Sequence, residues 1–248
     1  MKKPLIRVVA GVIFNQDESV LLTSRPQDKI FAGFWEFPGG KIETGESDLE
    51  ALQRELHEEI NLSIHHATTW LTLFTVREDA EILLKFFRIR AHEWSGKCIP
   101  KENQNFVWEN PQNITVSPVL NNNLPILQAL ALPEYLSGCL NGIEDFALPD
   151  ERLHQNPKAA QLIDYSGQSF SLHRQHFWAV VAKKEHFLEV ADAQAIIWTG
   201  SEEDLMTIAQ NGLSCVVYVA NPDPTKISWF QSLGVHGFIQ WQSSFQAA

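Results

Sequence analysis

Three carboxylates stand out by spacing. Glu55, Glu58 and Glu59 lie at i, i+3 and i+4 of a segment with helical periodicity, so their side chains share one edge of that helix. Like charges at this spacing repel by about a few tenths of a kcal/mol per pair. A hard divalent cation that takes oxygen ligands and keeps several waters would turn the repulsion into a binding site. Upstream, Phe37-Pro38-Gly39-Gly40-Lys41 reads as a Gly-Gly turn whose backbone can approach a ligand closely, and Gly45 allows a second sharp turn. The plainer alternative is a solvated acidic face with Arg54 pairing Glu50 and Glu58. The glycines tip the reading towards a metal-assisted site.

The elements that must position these groups are legible around the helix. Ser47 is a candidate N-cap, and Glu50 three residues on completes a capping box. Leu49, Leu52 and Leu56 form the expected buried stripe. Val8 to Phe14 and Ser19 to Ser24 read as a strand and its return strand about the turn Asn15-Gln16-Asp17-Glu18. Trp70 to Val76 and Ile82 to Arg90 are strands joined at Glu78-Asp79-Ala80, and Phe106 to Trp108 is a short further strand. Asn123 opens a helix to Leu132, with Pro125 in its first turn.

Gly40, Glu46, Arg54-Glu55-Leu56, Glu58-Glu59 and Leu62 together resemble the Nudix box, G-x5-E-x7-R-E-U-x-E-E-x-G-U with U a bulky apolar residue. Asn61 stands where the family has Gly. That position ends the helix and calls for the left-handed conformation, which Asn tolerates best after Gly. The resemblance implies an α/β/α sandwich with a mixed sheet. It also implies hydrolysis of a nucleoside diphosphate linked to another group, with Mg²⁺ or Mn²⁺. By that resemblance Glu55, Glu58, Glu59 and the Gly39 carbonyl hold the metal, and Glu46 and Arg54 brace loop against helix. Phe37, Gly40 and Lys41 line the substrate side. Glu102 matches in position the further acid of MutT-like members, as metal ligand or general base; a solvated loop glutamate is the alternative, and Glu109 is the rival. Arg25 matches a nucleotide-contacting arginine. Asn123 matches the asparagine that reads an oxidised guanine, where the alternative is an ordinary N-cap.

The resemblance to MutT-like members implies conversion of 8-oxo-dGTP to 8-oxo-dGMP and pyrophosphate, which serves nucleotide pool sanitation. The other readings are a different nucleoside diphosphate derivative or a non-catalytic nucleotide-sensing scaffold. An inactive fold has no use for a repulsive acid cluster.

The whole chain sets bounds. Its 248 residues allow one large or two modest domains, and a formal net charge of -11 argues against nucleic-acid or anionic-membrane partners. A small nucleotide with its metal is the expected partner; oligomeric state is left open. Cys98, Cys139 and Cys215 lack metal-ligand spacing and suit a reducing cytosol. Pro4 and Arg7 interrupt the apolar start, so a first strand is expected there rather than a signal peptide, and no run is long enough to span a membrane. The expected boundary is Leu132-Pro133: a Nudix domain over 1–133 and a second domain over 134–248. Strands at Phe177–Ala182, Ala195–Trp198, Cys215–Ala220 and Gly237–Trp241 alternate with helices at Lys184–Ala191, Glu202–Gln210 and Thr225–Leu233. That βαβ rhythm implies parallel strands. ALALPEYL, HFWAVVAKKEHFLEVADAQAIIW and GVHGFIQW resemble a thiamine-phosphate-synthase-like domain. The segment is too short for a full (β/α)₈ barrel, so a truncated, non-catalytic one is expected.

Overall fold

The computed structural model describes residues 3–132, 134–139, 161–164, 177–187, 190, 193, 195–210 and 212–242. The chain divides into two compact units, Met1–Leu132 and Pro133–Ala248.

The first unit is α+β and built on a mixed sheet. Its strands β1 (Leu5–Ile13), β4 (Gly39–Lys41), β6 (Thr68–Val76) and β7 (Glu81–Ile89) run in the order β4-β1-β7-β6. β1 and β7 are parallel over nine residue pairs, and the two outer pairings are antiparallel. Alternate residues of β1 face opposite sides. Val9 and Ile13 join Phe87, Ile89 and the helix α1 (Asp48–Ile60) in one core through Ala51, Leu52, Leu56 and Ile60, each of these four fully buried. Leu49 does not belong to that stripe. It is exposed in the first turn, where neighbouring Asp48 reaches Arg7 and Lys85.

Two further sheets complete the unit. β2 (Val20–Ser24), β3 (Trp35–Glu36) and β9 (Phe106–Glu109) form an antiparallel sheet ordered β3-β2-β9, and β5 (Ser63–Ile64) pairs with β8 (Trp94–Ser95). The expected β1–β2 hairpin is therefore corrected. Beyond a single Phe14–Val20 bridge, β2 leaves β1 and pairs with β3 and β9. Asn121–Asn123 form a 3-10 turn that leads into α2 (Leu124–Leu130), with Pro125 in its first turn.

The second unit carries a six-stranded parallel sheet. β10 (Tyr135–Cys139), β11 (Gln161–Asp164), β12 (Phe177–Val181), β13 (Ala195–Trp198), β14 (Val216–Ala220) and β15 (Gly237–Gln242) lie in the order β10-β15-β14-β13-β12-β11. Helices α3 (Lys184–Phe187), α4 (Glu202–Ala209) and α5 (Ile227–Ser232) link successive strands. β13 is buried throughout, as expected of a strand covered on both faces. β10 and β11 lie in the stretch from Glu134 to Phe170, for which the sequence gives loops and no clear strand. Residues 188, 189 and 191 of the expected helix Lys184–Ala191 fall outside the described residues. Among the described residues no helix is long and apolar enough to cross a membrane.

Candidate active site

The acid-bearing helix is fixed at both ends by local chemistry. Ser47 Oγ accepts from the Glu50 N–H, and Glu50 Oε2 accepts from the Ser47 N–H at 2.8 Å. At the other end Asn61 adopts the left-handed conformation, with φ 62° and ψ 29°, and its N–H returns to the His57 carbonyl.

The Gly-Gly segment is strand rather than free turn. β4 pairs with β1 so that Gly39 lies opposite Ala10 and Gly40 opposite Val9. Each glycine has its own reason. A Cβ on Gly39, at φ +149°, would stand 2.2 Å from the Val9 carbonyl oxygen; one on Gly40 would stand 2.2 Å from the Glu55 carboxyl carbon. Strand and helix approach so closely that the Glu55 carboxylate lies on the Gly40 backbone. The Gly39 N–H donates to Glu59 Oε2 at 3.1 Å.

Arg54 ties this arrangement together. Its Nε and Nη2 donate to the two oxygens of Glu46 at 2.7 and 2.9 Å, and Nη2 also reaches the Lys41 carbonyl oxygen at 3.0 Å. Its Nη1 donates to Glu55 at 2.9 Å and to Glu58 at 3.3 Å. The Arg54 bond, then the Glu43 N–H, hold the Glu46 carboxyl down to about 2. Lys41 itself is exposed.

Glu59 is in the opposite situation. Burial, then the charge of Glu55, push it up to about 8, against one lowering bond from Gly39; Glu102 and Glu36 add to the same upward push. Glu55, Glu59 and Glu102 are thus electrostatic neighbours, while Glu58 is the exposed member of the face. Among the described residues no three acid, His or Cys side chains are drawn tightly enough to enclose an ion. The donor set nevertheless fits a hard cation: it consists of carboxylate oxygens, and a divalent charge would relieve the strain recorded in Glu59.

The structure treats the remaining candidates differently. Glu109 is buried, and its carboxylate accepts from the Thr115 N–H and hydroxyl at 2.8 and 2.7 Å. Arg25 donates through Nη1 to both oxygens of Glu36 and through Nε to the Ile30 carbonyl, so its bonds brace the loop between β2 and β3. Asn123 does not act as an N-cap. It is 3% exposed, its Oδ1 accepts from the Phe37 N–H at 3.0 Å, and its Nδ2 donates to Asn122 Oδ1 at 2.9 Å. Phe37 is buried edge-on against Phe86, on the sheet face opposite α1.

Two residues of this site escaped sequence reasoning. Glu36 is an acid beside Glu59 whose burial raises its pKa despite Arg25. Its sequence signal was slight: an acid next to Phe37, with its arginine partner eleven residues away. Gln104 had none.

A mixed sheet, a capped acidic helix and a glycine strand tied to it by Arg54 are the framework on which the residues resembling the Nudix box stand. A model of the NUDIX domain matches residues 4–130, and the chain belongs to that family. It is similar to an 8-oxo-dGTP diphosphatase of Proteus vulgaris, 37% identical over 41% of this chain and 89% of that protein. The 8-oxo-dGTP diphosphatase of Escherichia coli K12 is 32% identical over 52% of this chain and 98% of that one. The CTP pyrophosphohydrolase of the same organism is 34% identical over 50% and 90%. The protein is an enzyme, a Nudix hydrolase.

Proposed function

We propose that the first unit is a Mg²⁺-dependent pyrophosphohydrolase that converts 8-oxo-dGTP and water to 8-oxo-dGMP and pyrophosphate. Mn²⁺ is the expected substitute metal. Glu55, Glu58, Glu59, Glu102 and the Gly39 carbonyl would hold the metal, which supplies positive charge to the phosphates and an activated water. The chain's own work is positional. Arg54 keeps Glu55 and Glu58 aimed from one helix face, while Glu46 fixes Arg54. The pairing of β4 with β1 keeps Gly39 and Gly40 against the acids.

The observation that carries the substrate reading is Asn123. A buried amide fixed at both ends is a preorganised reader. Its Oδ1 has a second lone pair beyond the Phe37 N–H, and its Nδ2 a second hydrogen beyond Asn122. 8-Oxoguanine offers O6 as acceptor and N7–H as donor; guanine has acceptors at both. One oriented amide can separate them, because the wrong base leaves polar atoms mispaired. The similarity to two 8-oxo-dGTP diphosphatases supports this reading, and the similarity to a CTP pyrophosphohydrolase supports the second one, a different nucleotide at the same metal site.

The test is kcat/KM for 8-oxo-dGTP and dGTP, with products resolved, in wild type and Asn123→Asp at about pH 8, where a carboxylate is ionised. Asp keeps the acceptor for the Phe37 N–H and removes the amide donor. Because both bases present O6, kcat/KM should fall for both, for 8-oxo-dGTP by about 2 kcal/mol, some thirtyfold. Asn123→Ala, which also removes the acceptor for N7–H, should shrink the ratio between the two, and a wild-type ratio in that variant would leave a Nudix hydrolase that does not read 8-oxoguanine through Asn123.

We further propose that the second unit is a truncated, non-catalytic relative of a thiamine-phosphate-synthase-like barrel. Its strand order follows the chain from β11 to β15 and then returns to β10, the cyclic order of a βα barrel opened between β10 and β11. Phosphate sites in such barrels use loops and helix N-termini after the strands. Here the first turn of α4 holds Glu202, Glu203 and Asp204, which repel phosphate.

A further inference from the structure

The loop that carries Glu102 is joined to α1 through one buried amide. Gln104 is 5% exposed. Its Nε2 donates to the Glu59 carbonyl oxygen at 2.9 Å, and its Oε1 accepts from the Glu102 N–H at 2.7 Å. The main chains of two acids from different elements are therefore linked by a single side chain. The surrounding bonds make the link stiff. The Lys101 N–H also donates to the Glu59 carbonyl at 2.9 Å, the Ile99 N–H to the Ile60 carbonyl at 3.0 Å, and Lys101 Nζ to the His57 carbonyl at 3.0 Å. The Glu59 and Ile60 carbonyls belong to the last turn of α1, which has no helical partners of its own for them, and the His57 carbonyl also takes the Asn61 N–H. On the far side, Asn105 exchanges two 2.9 Å bonds with Ser24 of β2. Between the anchors the chain turns at Asn103, with φ 59°.

Backbone anchors on either side leave Glu102 at the tip of a short turn, and the direction of its side chain then depends on the peptide that begins at its own N–H. Gln104 holds that N–H. We infer that Gln104 is a positioning residue that sets the Glu102 carboxylate in register with Glu59 on α1. The inference rests on the reading of Glu102 as a member of the acid set. A glutamine suits the task because it offers a donor to one main chain and an acceptor to the other, with no charge beside three carboxylates.

A double-substitution cycle tests this on the full chain, with Gln104→Met, Glu102→Gln and the pair. The readouts are kcat and KM for a hydrolysed nucleoside triphosphate, and Mn²⁺ affinity from the electron paramagnetic resonance signal of free Mn²⁺. Gln104→Met should lower kcat at least tenfold with KM within about twofold. It should weaken Mn²⁺ binding in the same direction as Glu102→Gln, and change neither quantity further when Glu102 is already Gln. If Gln104→Met fails to fold, Gln104→Asn takes its place: it stays a neutral amide but is one methylene too short to hold both main chains at once, so a smaller loss that again vanishes in the Glu102→Gln background is expected. Effects that multiply across the pair, or a wild-type Gln104→Met beside an impaired Glu102→Gln, overturn the positioning role alone. A wild-type Glu102→Gln overturns the reading of Glu102 and the positioning role with it.

Discussion

Alanine at Gly40 should disable the enzyme without unfolding it, whereas alanine at Gly39 should lower stability as well. The added Cβ at Gly40 would lie 2.2 to 2.4 Å from the carboxyl atoms of Glu55, whereas ordinary contact begins at 3.4 Å. The Glu55 carboxylate must therefore move by about 1 Å, and a misplacement of that size can cost about a hundredfold in rate. The obstacle is the end of a flexible side chain, and Gly40 lies outside the positive-φ glycines. Stability should change little, since alanine restricts the unfolded chain and returns about 0.4–1 kcal/mol. At Gly39 the obstacle is backbone: the Val9 carbonyl oxygen at 2.2 Å and the Ala10 Cα at 2.7 Å, at φ +149°. Strain of about 1–3 kcal/mol, with β4 forced off β1, should appear as a lower Tm. The assay is pyrophosphate release at saturating Mg²⁺, run beside thermal unfolding. Gly40→Ala in a Glu55→Gln background should add little further loss. Wild-type kcat in Gly40→Ala would refute the claim that the position of Glu55 governs turnover.

Two further outcomes are expected. Glu58→Gln should nearly abolish turnover while leaving metal-free stability within about 0.5 kcal/mol, because relief of repulsion from Glu55 is offset by loss of the exposed Arg54 pair; turnover near wild type would remove Glu58 from the metal face. Glu59, raised from 4.5 to about 8 in the folded protein, contributes stability in full below pH 4.5 that is lost as pH rises through about 8. Metal-free protein should therefore lose Tm across that window, Mg²⁺ should restore it at the alkaline end, and Glu59→Gln should flatten the dependence; a flat wild-type profile counts against the burial of that carboxyl.

Sequence by itself determined what depends on near neighbours. The α1 caps at Ser47, Glu50 and Asn61 are satisfied within four residues, so their types and spacing specify them. The acid face follows from the same 3.6-residue period. Parallel strands in the second unit follow from the βαβ rhythm, although β10 and β11 were missed because their pairing partners, β15 and β12, supply the evidence for them. Tertiary structure alone decided the rest. A turn after β1 suggested a hairpin, but strand pairing is settled by the surface each strand can bury, and β2 found β3 and β9. Leu49 has the right phase on α1 yet lies outside the core cluster. Asn123 would cap a helix if its neighbours decided, and instead it binds the Phe37 N–H 86 residues away. Gln104 joins Glu59 to Glu102 across 45 residues. Buried donors and acceptors must find partners wherever the fold brings them together, and side chains that meet this demand across the chain leave no periodic trace in the sequence.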